Sequence, residues 1–446
     1  MTEILSPSLK IVESILISLA RKRTVDNNNW TDSEEEDLEI ETSVFKKAEG
    51  LYCFLLAKSL KPDDFSESIL DKGILINDLK DILNVIKKDG FYPSPYSQIP
   101  GATDDQYTEF AAFSLDFCAL VFSEFKKDDK LCALSKEISK KALSFLINPD
   151  NFLLDDKGCR WGGTTQFRRT KIVKQLFTDT YFTSQVLLSL SKIIDHPVLK
   201  LNEAKKEEIK KVIQNGCKWL ISRIKNNQIY GGEDKDDDRL VYTTWGLKAL
   251  VETKNYHSED YNEILKPVIT KYVNDIDAKI EKEGVTIGQI FFTVLSLSID
   301  DNPISYDDRS DWGGVFLALI SLRKVQDFEA ILEEASYFQV LEKVYNGILL
   351  MRNGITNLWY KDYFIISIHN ILIEAFIEFD LIIKDFSFVI EVSPSMIRRA
   401  IKETLSDDNT ITIIQNDIYK KLQQSYKKNK QAKIINQDLK KNKIED

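Results

Sequence analysis

Four charged residues stand at one fixed offset along this chain. Asp104, Asp179 and Arg239 each lie four residues before a threonine (Thr108, Thr183 and Thr243), and Lys361 lies four before Ile365. An aromatic residue immediately precedes each landmark: Tyr107, Phe182, Tyr242 and Phe364. Tyr181 and Asp362 fall in the same windows. If the windows converge, acids, bases and aromatic rings meet around a common space. Charged groups would fix the polar parts of a ligand, and ring faces would take apolar surface or a cation. The candidate ligand-binding set is therefore Asp104, Tyr107, Asp179, Tyr181, Arg239, Tyr242 and Asp362. A plainer account competes with it. Aspartate at a helix start is a capping choice worth about 1 kcal/mol, and an aromatic–threonine pair packs between helices. No residue is assigned a catalytic role. A second candidate is "QFRRTKIVK" (166–174), where Arg168, Arg169 and Lys171 could clamp an anion or dock a partner, or simply stand in an exposed basic loop.

The elements that must position these residues repeat. "DTYFTSQVLLSL" (179–190) and "RLVYTTWGLKAL" (239–250) carry leucines four and seven residues after the threonine, at Leu187 and Leu190 and again at Leu247 and Leu250. That spacing is one face of a helix. "QYTEFAAFSL" is a third copy, with Ala112 and Leu115; "FFTVLSL", "DYFIISIHNIL" and "GGVFLALISL" are looser ones. An apolar-faced helix and a glycine-bearing turn come before several of them, at Gly90, at Gly162-Gly163 and at Gly231-Gly232. The unit is a helical hairpin used five or six times, and such units must stack. Only "DNTITIIQ" (408–415) reads as a β-run.

The spelling of this unit resembles the repeat of terpenoid cyclases and protein prenyltransferase β-subunits. The residues that carry the likeness are the Trp161-Gly162-Gly163 and Tyr230-Gly231-Gly232 turns and the helices 108–115, 183–190 and 243–250. The resemblance implies an α/α toroid over roughly residues 40–380, with the threonine helices inside and lysine-rich helices such as "EAKKEEIKKVI" (203–213) outside. It also implies that the leading ends of the inner helices face a cavity. The family's chemistry does not carry over with the fold. Asp234-Lys235-Asp236-Asp237 has the letters of D-x-D-D but ends six residues short of Thr243. Asp307-Asp308-Arg309-Ser310-Asp311 has the letters of D-D-x-x-D but follows a turn. Asp156 and Cys159 loosely match an acid–cysteine zinc stretch that lacks its histidine. No phosphate loop, dinucleotide fingerprint or nucleophile elbow occurs. Two carboxylates across the cavity, as sugar-active toroid enzymes need, are possible with Asp104 and Asp179.

The bulk properties set limits on the function classes. The 446 residues are 43% hydrophobic and 29% charged, with a net charge of −10, a globular profile whose acidic body repels nucleic acid. The last 27 positions, 420–446, hold nine lysines against three acids. No apolar run reaches the ~18 residues of a membrane span, and the first helix reads as amphipathic, so a cytoplasmic protein is expected. Five scattered cysteines and three histidines give no metal motif. The expected fold is all-α, helical hairpins closed into an α/α toroid, with an open solenoid as the alternative. The expected domains are an N-terminal helix and acidic linker (1–40), the toroid (41–384) and a helical extension (385–446). The expected function is a non-catalytic scaffold that binds a protein partner or small molecule, without a cofactor. The alternative is an enzyme acting on isoprenoid diphosphates, with magnesium, or on glycosides.

Overall fold

In the computed structural model, the described residues are 7–21, 44–58, 72–89, 108–162, 179–231, 240–256, 261–283, 312–323, 337–350 and 365–382, with Phe328, Leu332 and Ser336 singly. All belong to one compact unit, residues 1–351 with 358–386; the second unit, 352–357 with 387–446, lies outside them, as does the β-run at 408–415.

Twelve helices account for most of the described chain: α1 Pro7–Arg21, α2 Val44–Lys58, α3 Lys72–Asp89, α4 Thr108–Glu124, α5 Asp129–Leu146, α6 Asp179–Ile193, α7 Glu203–Ser222, α8 Leu240–Glu252, α9 Tyr261–Glu283, α10 Trp312–Arg323, α11 Tyr337–Leu350 and α12 Ile365–Ile382. None is long and apolar enough to cross a membrane. Helix α2 packs on α4, α4 on α6, α6 on α8, α8 on α10, α10 on α12, and α12 returns to α2. The inner ring is therefore closed, and the fold is an all-α toroid of six hairpins. Helices α3, α5, α7, α9 and α11 pack outside α2, α4, α6, α8 and α10 in turn. The sixth outer helix is α1, which packs on α12, so the start of the chain completes the ring.

Composition explains which helices go inside. Every residue of α10 from Trp312 to Leu322 is buried, as a helix apolar all round must be. Helix α7 buries only Ile209, Ile213, Cys217, Leu220 and their neighbours and turns its lysines and glutamates outward. Its exposed pairs, such as Lys205–Glu208 and Lys210–Glu207, keep it soluble and add little stability.

Inner helices run in one direction. Residues near their starts meet each other, as Glu109 of α4 and Tyr181 of α6 do, and residues near their ends meet, as Glu252 of α8 and Ser321 of α10 do.

The repeated threonine has a mechanical role. The Trp161 backbone N–H donates to Thr183 Oγ1 at 3.0 Å, and the Ile229 N–H donates to Thr243 Oγ1 at the same distance. Each threonine thus ties the chain arriving from an outer helix to the first turns of the inner one. Thr180 acts on the next repeat: its hydroxyl lies 2.6 Å from the Tyr230 carbonyl and 2.8 Å from that of Gly231.

The expectation of a single β-run is corrected: two-stranded ribbons precede the glycine pairs at 162–163 and 231–232. β1 (Leu153–Asp155) pairs with β2 (Gly158–Arg160), and β3 (Ile224–Lys225) with β4 (Gln228–Ile229). Asn226 and Asn227, both at positive φ, form the tight turn of the second. In the first, Gly158 has φ +127°, and a Cβ there would stand 2.1 Å from the Asn215 carbonyl oxygen and 2.7 Å from the Trp219 nitrogen. Both obstacles are backbone and cannot swing aside. Gly158→Ala is expected to cost at least about 2 kcal/mol, read as a lowered urea midpoint at constant m-value.

Candidate functional site

A line of incompletely buried residues runs down α4 through Glu109, Phe113, Asp116 and Leu120. The spacing of four, three and four is one helical face. The face in register with it on α6 is Tyr181, Gln185, Leu188 and Lys192, of which Leu188 is buried, and on α8 it is Val241, Trp245, Lys248 and Glu252, of which Trp245 and Lys248 are buried. These are the walls of the lumen. Aligning them sets Thr108 opposite Thr180 rather than Thr183, three residues from the register that the aromatic–threonine spelling suggests.

Deep in the lumen every inner helix contributes a polar side chain. Lys192 Nζ of α6 lies 3.6 Å from Asp116 Oδ2 of α4 and 3.6 Å from Glu374 Oε1 of α12. The two carboxylates are therefore less than twice that distance apart. Tyr52 of α2 adds its phenol to the same group of charges. On the far wall, Lys248 of α8 is paired with Glu252, which also accepts from Ser321 of α10 at 2.8 Å. Lys192 is enclosed by the ring, yet 41% of its side chain is open to solvent-sized space; 18% of Asp116, 24% of Glu374 and 23% of Glu252 are open too. Charged groups with open surface inside the ring line a solvent-accessible chamber toward the trailing ends of α6 and α8, where Lys192 and Glu252 stand.

The chamber drives its acids apart. Burial raises the pKa of Asp116, and repulsion from Glu374 adds to this against the opposing pull of Lys192. Burial would raise that of Glu252 as well, but Lys248, Lys192 and the hydrogen bonds from Lys248 and Ser321 outweigh it and hold the pKa at about 2. Burial lowers the affinity of Lys192 for its proton, while Asp116 and Glu374 raise it further, so the net direction is up and the ammonium persists. A carboxyl of raised proton affinity, Asp116, in the same ring as one of lowered affinity, Glu252, is the pattern of an acid–base site.

Glu252 makes a stability prediction. Its folded pKa lies below the usual 4.5, so its contribution is present above the unfolded pKa and is lost as the pH falls through the folded one. The span corresponds to about 3 kcal/mol. Between about pH 5 and pH 2, Glu252→Gln is expected to lose less stability than wild type, measured by urea unfolding at each pH.

The residues proposed from sequence are distributed unevenly. Tyr181 is on the lumen wall, where its hydroxyl contacts Glu109 Oε1 at 3.1 Å and its ring meets the Trp245 edge at 5.8 Å. Tyr242 is 2% exposed and lies off the lumen line, packed between helices. Asp179 opens α6. Asp104, Tyr107, Arg239, Lys361, Asp362, Phe364, Arg168, Arg169 and Lys171 lie outside the described residues, as do the 234–237 and 307–311 acid strings. Cys159 is buried in β2 with its thiol against the Val212 carbonyl, and among the described residues no cluster suited to a metal includes it.

Sequence reasoning passed over Asp116, Lys192, Lys248, Glu252 and Glu374. The signal was present: each is a charge inside an otherwise apolar inner helix, and Lys248 and Glu252 fall five and nine residues after Thr243.

No family model matches the sequence, and no curated protein matches it. Solved structures do. The GH76 alpha-mannanase of Bacteroides thetaiotaomicron is similar over 85% of this chain and 98% of its own, with a TM-score of 0.51 at 11% identity. Cellobiose 2-epimerase from Bacillus thermoamylovorans is similar over 83% of this chain and 98% of its own, with a TM-score of 0.49 at 12% identity. At such identity the likeness concerns the fold. The likeness to the mannanase, at TM-score 0.51, agrees with the closed ring of helices and does not support the terpenoid-cyclase type in particular.

Proposed function

We propose that this chain is a carbohydrate-active enzyme that cleaves a glycosidic bond in the chamber of its toroid. The observation that carries this reading is the pair Asp116 and Glu374, two carboxylates on separate walls, each 3.6 Å from one ammonium, with the proton affinity of Asp116 raised by burial. In its protonated form Asp116 donates to the glycosidic oxygen as the bond to the anomeric carbon breaks. Glu374 takes a proton from the water that attacks this carbon. Lys192, 3.6 Å from Glu374 Oε1, holds that carboxylate in place. Tyr181, half-buried and edge-on to the buried Trp245, offers a ring of the kind that sugars pack against.

The reading is favoured over a non-catalytic scaffold because the toroid neighbour at TM-score 0.51 is described as a mannanase, and because Asp116 and Glu374 face one ammonium from separate walls inside the ring. It is favoured over isoprenoid diphosphate chemistry because the Lys192 ammonium takes the place between carboxylates that a magnesium ion would require.

The test is incubation with a panel of manno- and gluco-oligosaccharides, with products resolved by chromatography. New reducing ends are expected with wild type and not with Glu374→Gln. Neither turnover nor calorimetric binding on any member of the panel would sink the proposal.

A further inference from the structure

Lys192 contacts a helix it does not neighbour. It belongs to α6, while Glu374 belongs to α12, which stands third round the ring from α6 in either direction. A 3.6 Å contact between opposed inner helices runs through the lumen, and Asp116 holds the same ammonium from another wall. We propose that Lys192 is a crossbar that closes the shaft at this level and makes the site a dead-ended pocket. The substrate is then a carbohydrate chain end, bound end-on, and not an internal segment threaded through the ring. This rests on the carbohydrate reading given above and narrows it.

The walls change character with depth in the way such binding requires. Toward the leading ends of the inner helices they carry Tyr181 and Phe113, Tyr181 edge-on to the buried Trp245 and Phe113 against the buried ring of Tyr52 with centroids 5.2 Å apart. Beyond them come Asp116, Lys192, Lys248 and Glu252. A sugar ring buries its apolar face on aromatic groups, and the hydroxyls of a terminal unit need donors and acceptors around and below it. The crossbar can serve them. Its ammonium carries three N–H donors, and the two carboxylates stand 3.6 Å from Nζ, so hydroxyl groups find both donors and acceptors at this level.

The experiment is calorimetric titration of wild type with mannotetraose and cellotetraose in three forms: free, blocked by a bulky group at one end, and blocked at both. Blocking both ends is expected to weaken binding at least about 100-fold, while one of the two singly blocked forms binds like the free sugar. Lys192→Ala removes the bar, and its doubly blocked and free ligands are expected to bind within about threefold of each other. Lys192→Arg is expected to keep the wild-type discrimination. If Lys192→Ala does not fold, the wild-type comparison decides alone. Equal binding of free and doubly blocked sugars by wild type overturns the crossbar and leaves the carbohydrate reading standing. Failure of every free sugar to bind overturns both.

Discussion

Asp116→Asn is expected to lower kcat/KM on the cleaved oligosaccharide by about 10²–10⁴-fold, nearly all of it in kcat. The amide has the size of the carboxyl and can still bond to Ser189, which contacts the Asp116 side chain. It cannot give up a proton. Burial, reinforced by Glu374, is what keeps the wild-type carboxyl protonated above the usual aspartate range. Wild-type activity should therefore fall as the pH rises through the Asp116 pKa, and this limb should vanish in the variant. Stability follows the same sign. A folded pKa above the unfolded one contributes stability that is complete below the unfolded pKa and is lost as the pH rises through the folded one. Asp116→Asn removes that dependence, so its stability should change less than wild type's over this window. A purely structural aspartate would give a lower melting temperature with kcat intact, and full activity in the variant at every pH would end the acid assignment.

The ring was legible in the sequence because it is built from repetition. Period, apolar face and glycine turn are local properties, and Thr183 and Thr243 do sit at the start of inner helices. The role of those threonines, binding the backbone of Trp161 and Ile229, was not legible. A hydroxyl's partner here is 14 or 22 residues away, and no spacing rule names it. The chamber was harder still. Asp116 and Lys192 are 76 positions apart, and Lys192 and Glu374 are 182 apart. They meet only because the ring closes. Charge in an apolar helix is the sole local trace of that closure, and Lys248 reads equally well as the exposed member of an i,i+4 pair with Glu252 until its 2% exposure is known. Tyr181 was picked for its neighbours' sake and does line the lumen, whereas Tyr242, chosen by the same rule, is one residue off the inward face.

Trp161→Ala is expected to destabilise the toroid by about 3–5 kcal/mol, the largest single effect on stability predicted among the described residues. The indole is fully buried, packs against Phe152 with centroids 5.3 Å apart and donates from Nε1 to the Leu146 carbonyl at 2.9 Å. That carbonyl ends α5, so the ring of Trp161 pins the outer helix of one hairpin while its backbone N–H is pinned by Thr183 of the next inner helix. Truncation loses the packing, opens a cavity and strands a helix-terminal carbonyl. Two further variants separate these contributions. Trp161→Phe keeps most of the volume and loses the indole donor, for about 1–3 kcal/mol. Thr183→Val keeps the indole contacts and leaves the Trp161 N–H without its acceptor, again for about 1–3 kcal/mol. Urea unfolding followed by tryptophan fluorescence and helical circular dichroism reads all three. A cost below about 1 kcal/mol for Trp161→Ala would mean that the turn can be released without loosening the ring, and the threonine tie would then be a consequence of ring closure, not one of its causes.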